Sequence, residues 1–314
     1  MKEGFQQDID TDMTSGNQRY INFYTDFAFK KLFGTEMNKD LLISFLNSLF
    51  AGSEVITDLH YLNVEHMGAA AAERKAVFDV YCENDRGEKF LIEMQKAEQE
   101  YFIDRSIYYS TFPIQEQALK GKWNFRLSKV YTIGILNFCF SKDDPEYLHH
   151  EVKLMDTRTK EVFYNKLAYI YLEMPKFRKS AGELDTLFDK WLFALKNLSR
   201  LFERPDVLQE QVFLHLFEQA EIAKLSPAEL HDYRESQKDA WDIYSVVESA
   251  EHRGEKKGRE KGREEGRAEG LEEGRARGIV ESRLEIARSM KDNGIETNVI
   301  ASCTGLNLDE ILSL

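Results

Sequence analysis

The chain has 314 residues, 42% hydrophobic and 31% charged, with 21 Phe, 14 Tyr and 5 Pro, which excludes bulk disorder and allows about two domains. Acidic residues outnumber basic ones by 55 to 42, so the average surface repels phosphate and nucleic-acid contact needs a local basic patch. Three scattered cysteines (Cys82, Cys139 and Cys303) and seven histidines without ligand spacing argue against a disulfide framework, a thiolate zinc site or a histidine metal centre.

Residues 1–20 are polar and acidic and read as a flexible arm. They have neither the basic end nor the apolar stretch of an export signal, so a cytoplasmic location is expected. Thr25 or Asp26 can cap a short helix carrying Phe29, Leu32 and Phe33, and Asn38 a second whose Leu42, Phe45, Leu46 and Leu49 repeat at helical spacing. Strands are expected over roughly 58–66, 75–82 and 89–95. Asn84-Asp85-Arg86-Gly87 supplies turn chemistry between the last two, giving an antiparallel hairpin. Residues 98–119 read as a helix that Pro113 bends or divides, and 130–140 as an apolar strand, too short for the roughly 18–20 residues that span a bilayer. No membrane partner is expected. Strand-like runs around 151–155 and 168–173 extend the same domain, so residues 21–180 predict an α/β fold in which helices flank a mixed sheet.

Residues 184–201 and 207–223 are helical by period, and Pro227 opens or interrupts a further segment carrying Leu230, Trp241, Tyr244 and Val247. Together they define a helical unit over 181–250. Composition then changes: glycine recurs every four residues from Gly254 to Gly278, within nine basic and eight acidic side chains. That spacing drifts by about 40° per repeat on a straight helix, and seven interior glycines cost about 6–7 kcal/mol relative to alanine. Residues 251–278 therefore read as an extended charged helix or linker, with a coiled interface or a nucleic-acid arm as the alternatives. The apolar positions of 279–314 suggest two or three short helices in a small C-terminal unit, and the helical unit and tail suggest a homo-oligomer.

The richest chemistry lies in the hairpin. Alternation places Phe78 and Val80 on one face with Asp79 on the other, and Ile92 and Met94 opposite Glu93 and Gln95. The midpoint of 79 and 93 falls inside the turn, so a symmetric hairpin sets Asp79 nearly opposite Glu93. Two such carboxylates repel across a partly apolar hairpin, and a divalent cation relieves that repulsion. Mg²⁺ suits carboxylate, amide and water oxygens and assists phosphodiester hydrolysis; Mn²⁺ and Ca²⁺ are the alternatives. The competing assignment makes both acids solvated strand-face charges, paired with Lys75 and Lys89.

In ordered segments the chain resembles the PD-(D/E)xK nuclease superfamily, specifically the bacterial recombination-promoting nucleases often labelled transposases. The segments are Thr25-Asp26-Phe27-Ala28-Phe29-Lys30-Lys31-Leu32-Phe33-Gly34, Arg74-Lys75-Ala76-Val77-Phe78-Asp79, Glu93-Met94-Gln95, Arg105-Ser106-Ile107-Tyr108-Tyr109, Tyr131-Thr132-Ile133-Gly134-Ile135-Leu136 and the glycine-spaced tail. The resemblance implies a restriction-endonuclease-like core and a DNA endonuclease that promotes recombination, with Asp79 and Glu93 as catalytic metal ligands. It sets Gln95 where the superfamily most often has lysine. A neutral amide cannot supply lysine's cationic field, so an inactive nuclease-like DNA-binding or assembly protein is the main alternative. Lys96 would alternate away if the strand continued. Asp26, which can also pair with Lys30, and Glu65 are further metal candidates. Arg105 is the better phosphate candidate, with Glu98, Asp104 or an acidic core group as competing partners. Lys30 and Lys31, with Lys39, Lys120, Lys122, Arg126 and Lys129, would form a basic rim for DNA.

Overall fold

The computed structural model describes residues 18–62, 78–118, 124–140 and 144–314. Thr25 caps helix α1 (Asp26–Phe33) through its side chain, which accepts from the Ala28 backbone N–H. Asn38 stands at the cap of α2 (Lys39–Phe50) without a side-chain capping bond, its amide donating instead to the Lys31 carbonyl at 2.8 Å. Both helices bury the expected apolar stripe: Phe29, Leu32, Phe33, Leu42, Phe45 and Leu46 are fully enclosed.

The strands are β1 (Leu59–Tyr61), β2 (Val80–Asn84), β3 (Lys89–Gln95), β4 (Val130–Leu136), β5 (His149–Met155) and β6 (Val162–Glu173). They form one mixed sheet in the order β1-β2-β3-β4-β6-β5. β1, β2 and β3 are successively antiparallel, β4 runs parallel to both β3 and β6, and β5 closes the far edge antiparallel. Val80 faces Ile92 in the hairpin ladder, so one further step sets position 79 opposite 93. Gly87, with φ of 73°, makes the turn between them. The strand expected over 130–140 ends at Leu136, and β6 begins earlier than its apolar run suggests.

Helices cover both faces. Val80, Cys82, Phe90, Ile92 and Met94 join the main core under α1, α2, α4 (Leu187–Asn197) and α5 (Gln211–Gln219). The opposite face packs beneath α3 (Phe102–Glu116), which runs through Pro113 as one helix. Ser106 and Ser110 of α3 reach the hydroxyls of Tyr171 and Tyr169 at 2.6 and 2.7 Å. Gly134 on β4 permits the close approach: a Cβ there would lie 3.0 Å from Tyr171 and 3.3 Å from the Phe102 ring.

Contacts group the described residues up to Val246 into one unit and Val247–Leu314 into a second. Helix α6 (Pro227–Asp292) is continuous, so the glycine-spaced segment is helical along its whole length. Pairs such as Lys261 with Glu265 support it locally. A Cβ at any glycine from Gly254 to Gly278 would meet nothing within 4 Å among the described residues, so these glycines serve no close packing against them. In the second unit Ala287, Ile300 and Ile311 form a small core from the end of α6, α7 (Thr297–Thr304) and α8 (Leu308–Leu312). No helix among the described residues is long and apolar enough to cross a membrane.

Candidate functional site

The hairpin and α1 bring the expected acids to one end of the sheet, with a departure from simple alternation. Asp79 sits at a bend just before β2, and Phe78 packs with Tyr81 and Leu91 rather than with Val80. The face of Asp79 is therefore not set by the strand period. Its Oδ2 accepts the Met94 backbone N–H at 2.7 Å and so reaches the edge of β3. Glu93 follows the ladder and turns toward α3, where Arg105 Nη2 donates to its Oε1 at 2.8 Å and the Gln95 amide also donates to it.

Neither acid is a fully solvated strand-face charge, and Glu93 is not paired with Lys89. Asp79 is half-buried, and the Glu93 side chain is 13% exposed. Lys89 pairs with Glu83 instead, and Lys75 lies outside the described residues. Burial pushes the Asp79 carboxyl up to about 6, against the Met94 hydrogen bond, with the nearby Asp26 charge adding to the rise. Burial likewise pushes Glu93 up to about 7, with Asp79 adding like-charge repulsion and Arg105 opposing it. Both groups favour their protonated form more than a free carboxyl does.

A cavity of about 180 Å³ opens beside this pair, lined by Asp26, Asp79, Met94, Gln95 and Lys96, with Phe29 of α1 and Ile243 of α6 at its apolar side. β3 ends at Gln95, so Lys96 is released from alternation and shares the cavity with Asp79. Burial lowers the Lys96 pKa, while Asp26, Asp79 and Asp239 act in the opposite sense. Lys96 is the residue that strand-period reasoning misses. The signal in the sequence is the Ala97 and Glu98 that follow it, where strand character fades. Glu93 is not among the lining residues and stands behind the cavity with Arg105.

Asp26 makes the expected i,i+4 pair with Lys30 at 2.9 Å and lines the same cavity. Arg105 takes the acidic core partner, Glu93, rather than Glu98 or Asp104, and lies over the rings of Phe102 and Tyr109. Its Nε is buried with no partner among the described residues. Lys31 pairs with Glu229, Lys39 with Asp58 and Glu36, and Lys129 with Glu54, so these members of the expected basic rim are each engaged by a carboxylate within the chain. Glu65, Lys120 and Lys122 lie outside the described residues.

A second cluster stands at the other end of the hairpin. Asp58, His60 and Asp85 place one ligand atom each within 4.8 Å of one another, an arrangement capable of holding a metal ion. It is largely exposed, and its carboxylates are already engaged: Asp58 with Lys39 and Asp85 with the Thr57 hydroxyl. Asp85 belongs to the turn, remote along both strands from Asp79 and Glu93. At the buried end Asp26, Asp79, Glu93 and the Gln95 amide oxygen are the oxygen donors a hard divalent cation prefers, but among the described residues only Asp58, His60 and Asp85 gather three ligand atoms within 4.8 Å.

No curated protein and no solved structure matches the chain. Residues 23–250 match the family model described as PD-(D/E)XK nuclease family transposase, a span that includes every described residue of the buried site. The mixed sheet flanked by helices agrees with that match, and the chain belongs to the PD-(D/E)XK nuclease family transposases.

Proposed function

We propose that the chain is a divalent-metal-dependent DNA endonuclease of the cytoplasm, hydrolysing phosphodiester bonds and thereby promoting recombination. The observation that carries this reading is the cavity joining Asp26, Asp79, Gln95 and Lys96 beside the half-buried Glu93. Mg²⁺ held there, or Mn²⁺ or Ca²⁺ in its place, would polarise the phosphodiester and ease deprotonation of water. Asp79 and Glu93 are the principal ligands, and their raised pKa values fit carboxylates that require a cation to remain charged side by side. Asp26 adds a third carboxylate, and Gln95 orients water or a ligand through its amide.

The missing cationic field is supplied by Lys96, whose ammonium shares the Asp79 cavity and stabilises negative charge developing on phosphate oxygens. Arg105 holds Glu93 in place and is the guanidinium that would clamp a phosphate in this reading. Lys30 and Lys31 approach the DNA backbone from α1. Association through the helical region and tail would set two such sites against one duplex.

The test is nicking of supercoiled plasmid by the wild-type chain and by D79A, with Mg²⁺ and with chelator. Cleavage only by wild type and only with Mg²⁺ is expected. Equal cleavage by both proteins would overturn the assignment, and DNA binding without scission would favour a nuclease-like binding or assembly protein.

A further inference from the structure

A larger cavity of about 850 Å³ adjoins the site, between α1 and the start of α6, and shares Asp26, Lys96 and Ile243 with it. Its basic groups are Lys30, Lys31 and Lys96. Facing them, α6 contributes Glu229, Asp232, Glu235 and Asp239. Their spacing of three, three and four residues puts all four on one helical face, about 4.5–6 Å apart along the axis. With Asp26, five carboxylates thus meet three ammonium groups, and the cavity as it stands repels phosphate.

The contact is specific as well as electrostatic. Lys31 Nζ lies 2.6 Å from Glu229 Oε1, and Asp239 is among the charges acting on Lys96. The helix is fastened beside α1: the Asn22 N–H donates to the Tyr233 hydroxyl at 2.9 Å, and the Phe27 N–H to Ser236 Oγ at 3.1 Å. Tyr233 and Ala240 are buried, so the acidic row is held by packing on its flank and does not depend on ion pairs alone.

We propose that the acidic face of α6 is a built-in competitor for the DNA backbone, engaging Lys31 and facing Lys96 across the cavity in the resting chain and yielding them when a phosphate strand enters. The identity of the displaced ligand as DNA rests on the nuclease reading; the masking of the lysines is a separate property. Substrate entry thereby exchanges carboxylates for phosphates on the same cations, and affinity is set by the difference between the two.

The test uses the full chain carrying D232N, E235Q and D239N together. These side chains are exposed, and Glu229 is kept because it accepts from the Ser226 N–H at 2.8 Å at the start of α6. A control carrying E146Q, E161Q and D206N removes the same charge at exposed positions outside the cavity. Binding of a short fluorescent duplex is measured in chelator across a salt series, so that no cleavage intervenes. The cavity variant should bind about tenfold more tightly at low salt, with a steeper salt dependence, as more phosphate contacts become available; the control should stay near wild type. Unchanged affinity, equal tightening in the control, or no binding by any of the three proteins would each overturn masking. Tighter binding by the cavity variant, with no Mg²⁺-dependent nicking by wild type, would keep masking and remove the nuclease reading.

Discussion

The backbone N–H of Met94 donates to Asp79 Oδ2 at 2.7 Å, tying the acid at the mouth of β2 to the strand that carries Glu93. Through this bond the hairpin ladder, rather than a flexible loop, positions the first carboxylate. The two acids influence each other as like charges, Asp79 raising the Glu93 carboxyl while Glu93 is held by Arg105 of α3.

Stability should depend on pH in a defined sense. Asp79 is raised from 3.8 to about 6 and Glu93 from 4.5 to about 7, so the folded chain binds their protons more tightly than the unfolded chain does. Their contribution is full below about pH 4 and is lost as pH rises through about 6 to 7. Urea unfolding in chelator should show this decline, and D79N should flatten its lower part. An identical pH profile for D79N and wild type would contradict the shift at Asp79.

Removing the Arg105 guanidinium leaves Glu93 without its charged partner. R105A should lower stability by about 1–3 kcal/mol and push the Glu93 carboxyl higher still. R105K should fall between, because an ammonium keeps charge but loses the planar fork. Thermal unfolding checks the first effect, and a move of the nicking profile to higher pH checks the second.

G134A tests whether α3 needs the missing side chain beneath it. The added carbon would lie 3.0 Å from Tyr171 Cδ1 and 3.3 Å from Phe102 Cζ, so overpacking should cost about 1–3 kcal/mol. F102L in the same chain should recover part of the loss by opening space. A G134A chain as stable as wild type would show that the two rings yield freely.

K96Q should reduce Mg²⁺-dependent nicking by about 10²–10³-fold while changing duplex affinity in chelator much less. K96R should retain more activity than K96Q, since it keeps the positive charge. Full activity in K96Q would move the cationic role to another residue.

G266A should raise helix stability by about 0.8–1 kcal/mol, because a Cβ there meets nothing and alanine is the stronger helix former. Slower amide exchange around position 266 would be the readout. Faster exchange, or a change in oligomeric mass, would show that this glycine meets a neighbour outside the chain.

Local periodicity was enough to find α1, α2, the hairpin and its register, because Phe29, Leu32 and Phe33, or the turn ending at Gly87, depend on neighbours a few residues away. The same reading identified Asp79, Glu93 and Arg105 as residues of interest. It named an acidic core group among the partners of Arg105 without selecting Glu93. Alternation failed at the two ends of the ladder: Asp79 lies on a bend and Lys96 lies past the last paired residue, and a period of two holds only while strands remain paired.

Charge and composition by themselves determined that any phosphate contact must be local, and the glycine spacing marked a long charged segment. Tertiary structure alone decided that Lys96 meets Asp79 and that Glu229, more than a hundred residues further on, occupies Lys31. Strand and helix periods act over a few residues, whereas burial and ion pairing depend on which distant surfaces the packed core brings together.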